Sequence, residues 1–135
     1  MDVVRIKKPV LQAIINHALV QAPLECCGLL AGETELITHH RPMNNLLHSP
    51  VRYAMDPREL FQFFKDLRAS NERHLGIYHS HPSSEARPSR IDIEESFYPD
   101  CAYLIISLAE PHSPQVRAFQ IQNGAVAELE MIEFE

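Results

Sequence analysis

Cysteine is scarce in this chain: three residues among 135, an odd number and too few for a disulfide scaffold, which points to a reducing cytoplasm. Basic charge is short too. Twelve Lys plus Arg face eighteen Asp plus Glu, a formal net charge of -6. Nucleic acid and anionic membranes both call for a basic face, so neither is expected as a partner. Long apolar runs are missing, since the longest, Cys101 to Ala109, is less than half of the roughly 20 residues a bilayer needs. The start mimics a leader, with Lys7 and Lys8 before an apolar stretch ending at Val20-Gln21-Ala22. Yet Asp2 sits in its basic region and Gln12, Asn16 and His17 interrupt its apolar one, so it reads as a helix of the mature fold. No repeat, low-complexity tract or linker divides the chain. What is present is a 45% hydrophobic, 22% charged sequence, read as one domain over residues 1–135, and eight histidines.

The periodicities predict a mixed α/β architecture. Val3 to Lys7 suits a short strand. Pro9 opens a helix whose Val10, Leu11, Ile14, Ile15, Ala18 and Leu19 share one face, and Pro23 ends it. Cys26 to Ala31 is a buried strand by length, and Leu36 to His40 a second strand. Asp56-Pro57-Arg58-Glu59 starts a helix with an N-cap acid and a first-turn proline, and its expected core face is Leu60, Phe61, Phe64 and Leu67. Leu75 to Tyr78 is a strand running into His79-Ser80-His81-Pro82. Ser89 caps a short helix that Pro99 ends. Ala102 to Leu108 reads as a central strand covered on both faces. Gln115 to Gln122 and Ala125 to Glu135 form a hairpin through Asn123-Gly124, and the change of parity between Met131 and Ile132 suggests a bulge or frayed end.

The chemistry concentrates in His79-Ser80-His81-Pro82, followed after six residues by Ser89 and after two more by Asp92. On a strand, His79 and His81 project to one face because side chains alternate. Pro82 breaks the strand and lets the next helix return Asp92 as an oxygen donor. Two imidazoles and a carboxylate are the donor set of a zinc site that keeps a position open, a catalytic rather than a structural one. The plainer reading makes Ser89 and Asp92 a capping box and leaves the histidines merely packed; the combined spacing favours the metal.

This pattern resembles the JAMM (Mov34/MPN/PAD-1) zinc metallopeptidases, in the compact prokaryotic form. The resemblance rests on Glu25, His79, Ser80, His81, Pro82, Ser89 and Asp92, with Pro23-Leu24-Glu25-Cys26-Cys27-Gly28-Leu29-Leu30 around the glutamate. It implies a cytidine-deaminase-like sandwich, a mixed sheet flanked by two or three helices. It implies one Zn²⁺ per chain held by His79, His81 and Asp92. Glu25 would act as base on the zinc-bound water, and Ser89 would hydrogen-bond the oxyanion. The reaction implied is cleavage of an amide or isopeptide bond after the C-terminal Gly-Gly of a ubiquitin-like or sulfur-carrier protein. Deamination is not implied, because the chain lacks the H-x-E or C-x-E site and the Cys-x-x-Cys that such chemistry needs.

Other candidates are assigned by position. Thr38 to Arg52 is the expected substrate-binding segment, holding an extended tail by strand addition, with His48 able to line a groove. Ser80, on the opposite face from the two histidines, is expected to orient the turn. His39 and His40 point opposite ways and read as surface. His17, His74 and His112 lack ligand spacing. Cys26, Cys27 and Cys101 read as buried thiols, and Arg87 and Arg90 as surface charges. Three alternatives stand beside the peptidase: a non-catalytic scaffold of the same fold, a RadC-like domain, and an enzyme using Cys26 or Cys27 as nucleophile.

Overall fold

Fourteen residues of amphipathic helix follow directly on the first strand, and that junction sets the layering of the whole chain. The computed structural model describes residues 1–135. β1 (Val3–Lys7) leads into α1 (Lys8–Gln21), then β2 (Cys27–Gly32), β3 (Leu36–Ile37), β4 (His39–Met43) and α2 (Pro57–Ala69). β5 (Arg73–His81), α3 (Arg90–Glu94), β6 (Ala102–Ser107), β7 (Gln115–Gln122) and β8 (Ala125–Phe134) complete it. The strands form one eight-stranded sheet in the order β3-β1-β8-β7-β6-β5-β2-β4. It is mixed: β1 runs parallel to β3 and β8, β5 parallel to β6, and the other neighbours are antiparallel. No helix is long and apolar enough to cross a membrane.

Each face of the sheet is covered by a helix. On one, Val10, Leu11, Ile14 and Ala18 of α1 pack with Leu30, Tyr78, Leu104 and Ile106. On the other, Phe63 of α2 packs with Cys27, Leu29, Ile77 and Tyr103. This is the expected sandwich, with three helices. Leu19 falls outside the α1 stripe and is exposed. Phe61 is also exposed, at 64%, while Phe63 takes the buried place expected of it. Helical spacing explains the exchange, because Leu60, Phe63, Phe64 and Leu67 make the i, i+3, i+4, i+7 stripe and Phe61 does not belong to it.

Three further expectations are corrected. Leu36 to His40 is not one strand. β3 pairs with β1 and β4 with β2, and Thr38 alone separates them. The two ends of the strand order therefore meet, so the sheet curls back on itself. β8 carries no bulge at Met131–Ile132. It leaves β7 after Leu129 and continues through Phe134 beside β1, so its second half changes partner without a register shift. α3 stops at Glu94, well before Pro99.

β5 shows how the fold separates structure from chemistry. Tyr78 points into the α1 core, fully buried against Gly28, where an added Cβ would collide with its ring; its hydroxyl meets His17 Nδ1 at 2.8 Å. Ser80 shares that face. It accepts from the Cys26 amide at 2.8 Å and so pins the start of β2 to the end of β5. Ile77, His79 and His81 face the other way, at the carboxyl end of the strand.

Candidate metal centre

Strand alternation and one capping box assemble the centre. His79 and His81, 1% and 4% exposed, leave the end of β5 on the same face. Ser89 is the N-cap of α3, its Oγ accepting from the Asp92 amide at 3.1 Å and its own amide donating to Asp92 Oδ2 at 2.9 Å. The capping box and the metal-site reading are therefore the same arrangement. The box aims the Asp92 carboxylate at the histidines: Oδ2 lies 3.1 Å from His79 Nε2 and 2.9 Å from His81 Nε2, and the two Nε2 atoms are 3.2 Å apart.

Those three atoms fit a cation. His81 Nδ1–H donates to the Glu85 carbonyl at 2.8 Å, which leaves its Nε2 lone pair facing a carboxylate oxygen. In the neutral ring acceptor faces acceptor, a contact relieved by a proton on Nε2, which the raised His81 pKa favours, or by a cation bound in its place. Edges of 2.9 to 3.2 Å are close to the roughly 3.3 Å separating ligands on a tetrahedral zinc with bonds of about 2.0–2.1 Å. The Glu85 contact is also the outer hydrogen bond that ordinarily fixes a ligating imidazole. These three residues form the chain's one cluster able to hold a metal, and its chemistry is compatible with zinc. Burial opposes charge on both sides of the contact. Hydrogen bonds outweigh it, raising the His81 pKa and holding Asp92 well below the usual carboxylate range.

Glu25 lies just before β2, 4% exposed, with Oε1 buried and unpartnered. No cation pairs with it. Burial pushes its pKa up to about 8, His81 pulling it down and Asp92 adding to the rise. Its backbone is tightly held, the amide donating to Ser49 O at 2.9 Å and the carbonyl accepting from Asn45 Nδ2 at 3.0 Å. A carboxyl group kept near neutral pKa, without an ion partner and within the field of His81 and Asp92, is suited to moving a proton.

Two depressions flank the centre. An apolar cavity of about 240 Å³ opens beside Asp92, lined by Tyr53, Met55, Ile77, Tyr98 and Tyr103, with Arg52 and Glu95 joined at 2.8 Å on its wall. A polar one is lined by Glu25, Asn44, Asn45, His48 and Glu59. The segment Thr38 to Arg52 thus divides: Asn44, Asn45 and His48 reach the Glu25 side, whereas Arg52 alone reaches the apolar cavity. Sequence reasoning missed Tyr53, whose ring lies 4.8 Å from that of His79. It placed Asn45 only within the Thr38 to Arg52 segment, with no role of its own. No periodicity marks either residue; the Asn44-Asn45 pair signals only a turn.

The remaining candidates are explained locally. Cys26, Cys27 and Cys101 are free and buried. Burial drives Cys26 up to about 11 and Cys27 up to about 12, leaving no thiolate at neutral pH for the cysteine-nucleophile alternative. Arg87 and Arg90 pair with Glu85 and Glu94 at the surface. His39 is exposed and His40 half-buried.

His74 donates from Nε2 to Gly76 O at 2.9 Å and is enclosed by Phe63, Phe64 and Tyr98, which lowers its pKa to about 4 through burial. A histidine kept neutral by the fold releases its stabilising effect when it must charge. Stability is lost as pH falls from about 6.5 through 4, because the unfolded chain takes up the proton first. Against His74→Gln, the wild type should lose more melting temperature between pH 7 and 4 in scanning calorimetry; parallel curves would refute this.

Residues 7–122 match the family described as prokaryotic homologs of the JAB domain. The CysO-cysteine peptidase of Mycobacterium tuberculosis is 35% identical over 125 residues, 91% of this chain and 86% of that protein. A probable TtuB-protein conjugate cleaving protease of Thermus thermophilus is 34% identical over 123 residues, 90% of this chain and 78% of its own length. Among solved structures, protein DSY2949 of Desulfitobacterium hafniense superposes with a TM-score of 0.88 at 39% identity, covering 98% of this chain and 93% of that one. With the buried His-His-Asp cluster beside an unpaired glutamate, this similarity along nearly the whole chain means that the protein belongs to the prokaryotic JAB family.

Proposed function

We propose that this protein is a zinc-dependent hydrolase that cuts the amide or isopeptide bond after the C-terminal Gly-Gly of a ubiquitin-like or sulfur-carrier protein, in the cytoplasm. The observation that carries the reading is Glu25: buried, unpaired and within the electrostatic influence of His81 and Asp92. The names of the relatives, a peptidase for a CysO-cysteine adduct and a protease for TtuB conjugates, support the class of substrate.

His79, His81 and Asp92 would hold the metal. Bound zinc supplies a Lewis acid and lowers the pKa of water from ~16 toward ~7. Glu25 takes the proton of the attacking water and delivers it to the leaving amine, a role suited to its raised pKa. Ser89 Oγ accepts only from the Asp92 amide, so its hydroxyl hydrogen is free to donate to the oxyanion that forms on the substrate carbonyl. The carrier's tail lies along the segment Thr38 to Arg52, with Asn44 and His48 on its Glu25 side.

The test uses a β-grasp carrier with cysteine joined to its terminal glycine and a second with lysine joined through its side chain. Mass spectrometry is expected to find the cut after Gly-Gly in the protein loaded with zinc. Activity should disappear with a chelator and survive a thiol alkylator. Loss to the alkylator alone would restore the cysteine reading, and intact substrates would favour a non-catalytic scaffold.

A further inference from the structure

Asn45 uses its whole side-chain amide inside the protein. Nδ2 donates to two carbonyls, Glu25 O and Arg52 O, both at 3.0 Å. Oδ1 accepts from two amides, Leu47 N at 3.1 Å and Ala54 N at 3.2 Å. Main-chain pairing reinforces the clasp, since Leu46 N donates to Ala54 O at 2.9 Å and Asn45 bridges to Met55. The two peptide groups bound from Arg52 and Ala54 bracket Tyr53, whose ring lies tilted with its centroid 4.8 Å from that of His79. One planar amide therefore touches the backbone of the proposed base and both sides of the residue covering a proposed ligand.

Ordinary loop stabilisation does not require this arrangement. An asparagine in a turn closes its own loop two residues on, as Oδ1 does here with Leu47. The additional bonds cross 20 residues of sequence to Glu25 and 7 and 9 to the Tyr53 peptides. Glu25 has no side-chain partner of its own to fix its place. Its position depends on its backbone, held by Ser49 and Asn45 from the same loop. A base must stay within a few tenths of an ångström of its working position for efficient proton transfer.

We propose that Asn45 is a positioning residue for hydrolysis: it locks the Glu25 backbone to the Tyr53 segment and so sets the distance between the base and the His79-His81-Asp92 cluster. The proposal rests on the reaction assigned above. It asks nothing of Asn45 by way of contact with substrate, and it separates this residue from its neighbours Asn44 and His48 in the substrate segment.

The test compares Asn45→Ala and Asn45→Asp with the wild type, each zinc-loaded, on the cysteine-adduct carrier. The Asp variant keeps the acceptor for Leu47 and Ala54 but loses the donors to Glu25 and Arg52, so it removes the cross-link while sparing the loop. Both variants are expected to keep about one zinc per chain, to lose at least tenfold in kcat and to change KM by less than threefold. In hydrogen exchange the Glu25 amide is expected to exchange at least tenfold faster in both variants, with the β5 and β6 amides unchanged. Unchanged kcat, a loss carried by KM, or loss of zinc in the Asp variant would each overturn the proposal. So would an unmoved Glu25 amide. Exchange is read without any cleavage: if the wild type leaves the carrier intact, the reaction assignment falls, and a positioning role in hydrolysis falls with it, while the exchange data still report whether Asn45 joins the two segments.

Discussion

Glu25→Gln is expected to retain about one zinc per chain and to cleave the carrier adduct ~10²–10⁴-fold more slowly, the usual worth of a positioned proton-transfer group. The same substitution should make the metal-free protein more stable. Burial raises the Glu25 pKa from 4.5 to about 8, so the fold favours the neutral acid. The unfolded chain ionises freely above 4.5, and stability therefore declines as pH rises from there toward 8. Glutamine has the same shape and cannot ionise. With metal chelated, the variant should melt several degrees above the wild type near pH 8 and level with it near pH 4. Zinc analysis, single-turnover cleavage and melting curves at both pH values check the three parts. Undiminished cleavage would remove Glu25 from the reaction, and an equal melting temperature near pH 8 would remove the cost of its burial.

His81→Ala should abolish zinc binding and, with it, hydrolysis. The remaining His79 and Asp92 supply two donors where a catalytic zinc takes three from the protein. The substitution also frees the Glu85 carbonyl that orients the ring. Elemental analysis is expected to fall from about one zinc per chain to under ~0.1 at micromolar metal. Calorimetry gives a second reading. A ligand at a hundredfold its Kd stabilises the native state by about 2.7 kcal/mol, which is ~10 °C for a chain of this size; the variant should show almost none of that gain. Since both faces of the sheet are packed without any help from the centre, the variant should still fold. Full zinc occupancy in folded His81→Ala would sink the ligand assignment.

The centre was legible because its geometry is local. His79 and His81 are two apart on a strand, and Ser89 and Asp92 are three apart at a helix start, so period and capping rules bring them into register with little tertiary information. Glu25 required the family resemblance, because 54 residues separate it from His79 and only the pairing of β2 with β5 brings them near. Tyr53 had no signal, and Asn45 only that of a turn within the Thr38 to Arg52 segment. Their roles come from hydrogen bonds and ring contacts that close across a loop, which composition and periodicity do not encode. The same limit applies to Leu36 to His40. Five residues suitable for one strand were shared between two edges because the chain turns at Thr38, where the Thr38 amide donates to Ala31 O at 2.9 Å. Phe61 differs in kind: the helical period alone places Phe63, not Phe61, on the buried stripe.

The curling of the sheet has a consequence for the protein's behaviour in concentrated solution. An open sheet of eight strands would expose two long edges, each a template for pairing with another molecule. Here one edge, β3, is only two residues long, and it lies across Thr38 from the other. That second edge, β4, contains Pro42, which has no N–H to offer, and carries His39, His40 and Arg41 beside it. Neither edge suits a rigid neighbouring sheet. The molecule is thereby built against fibrous self-association.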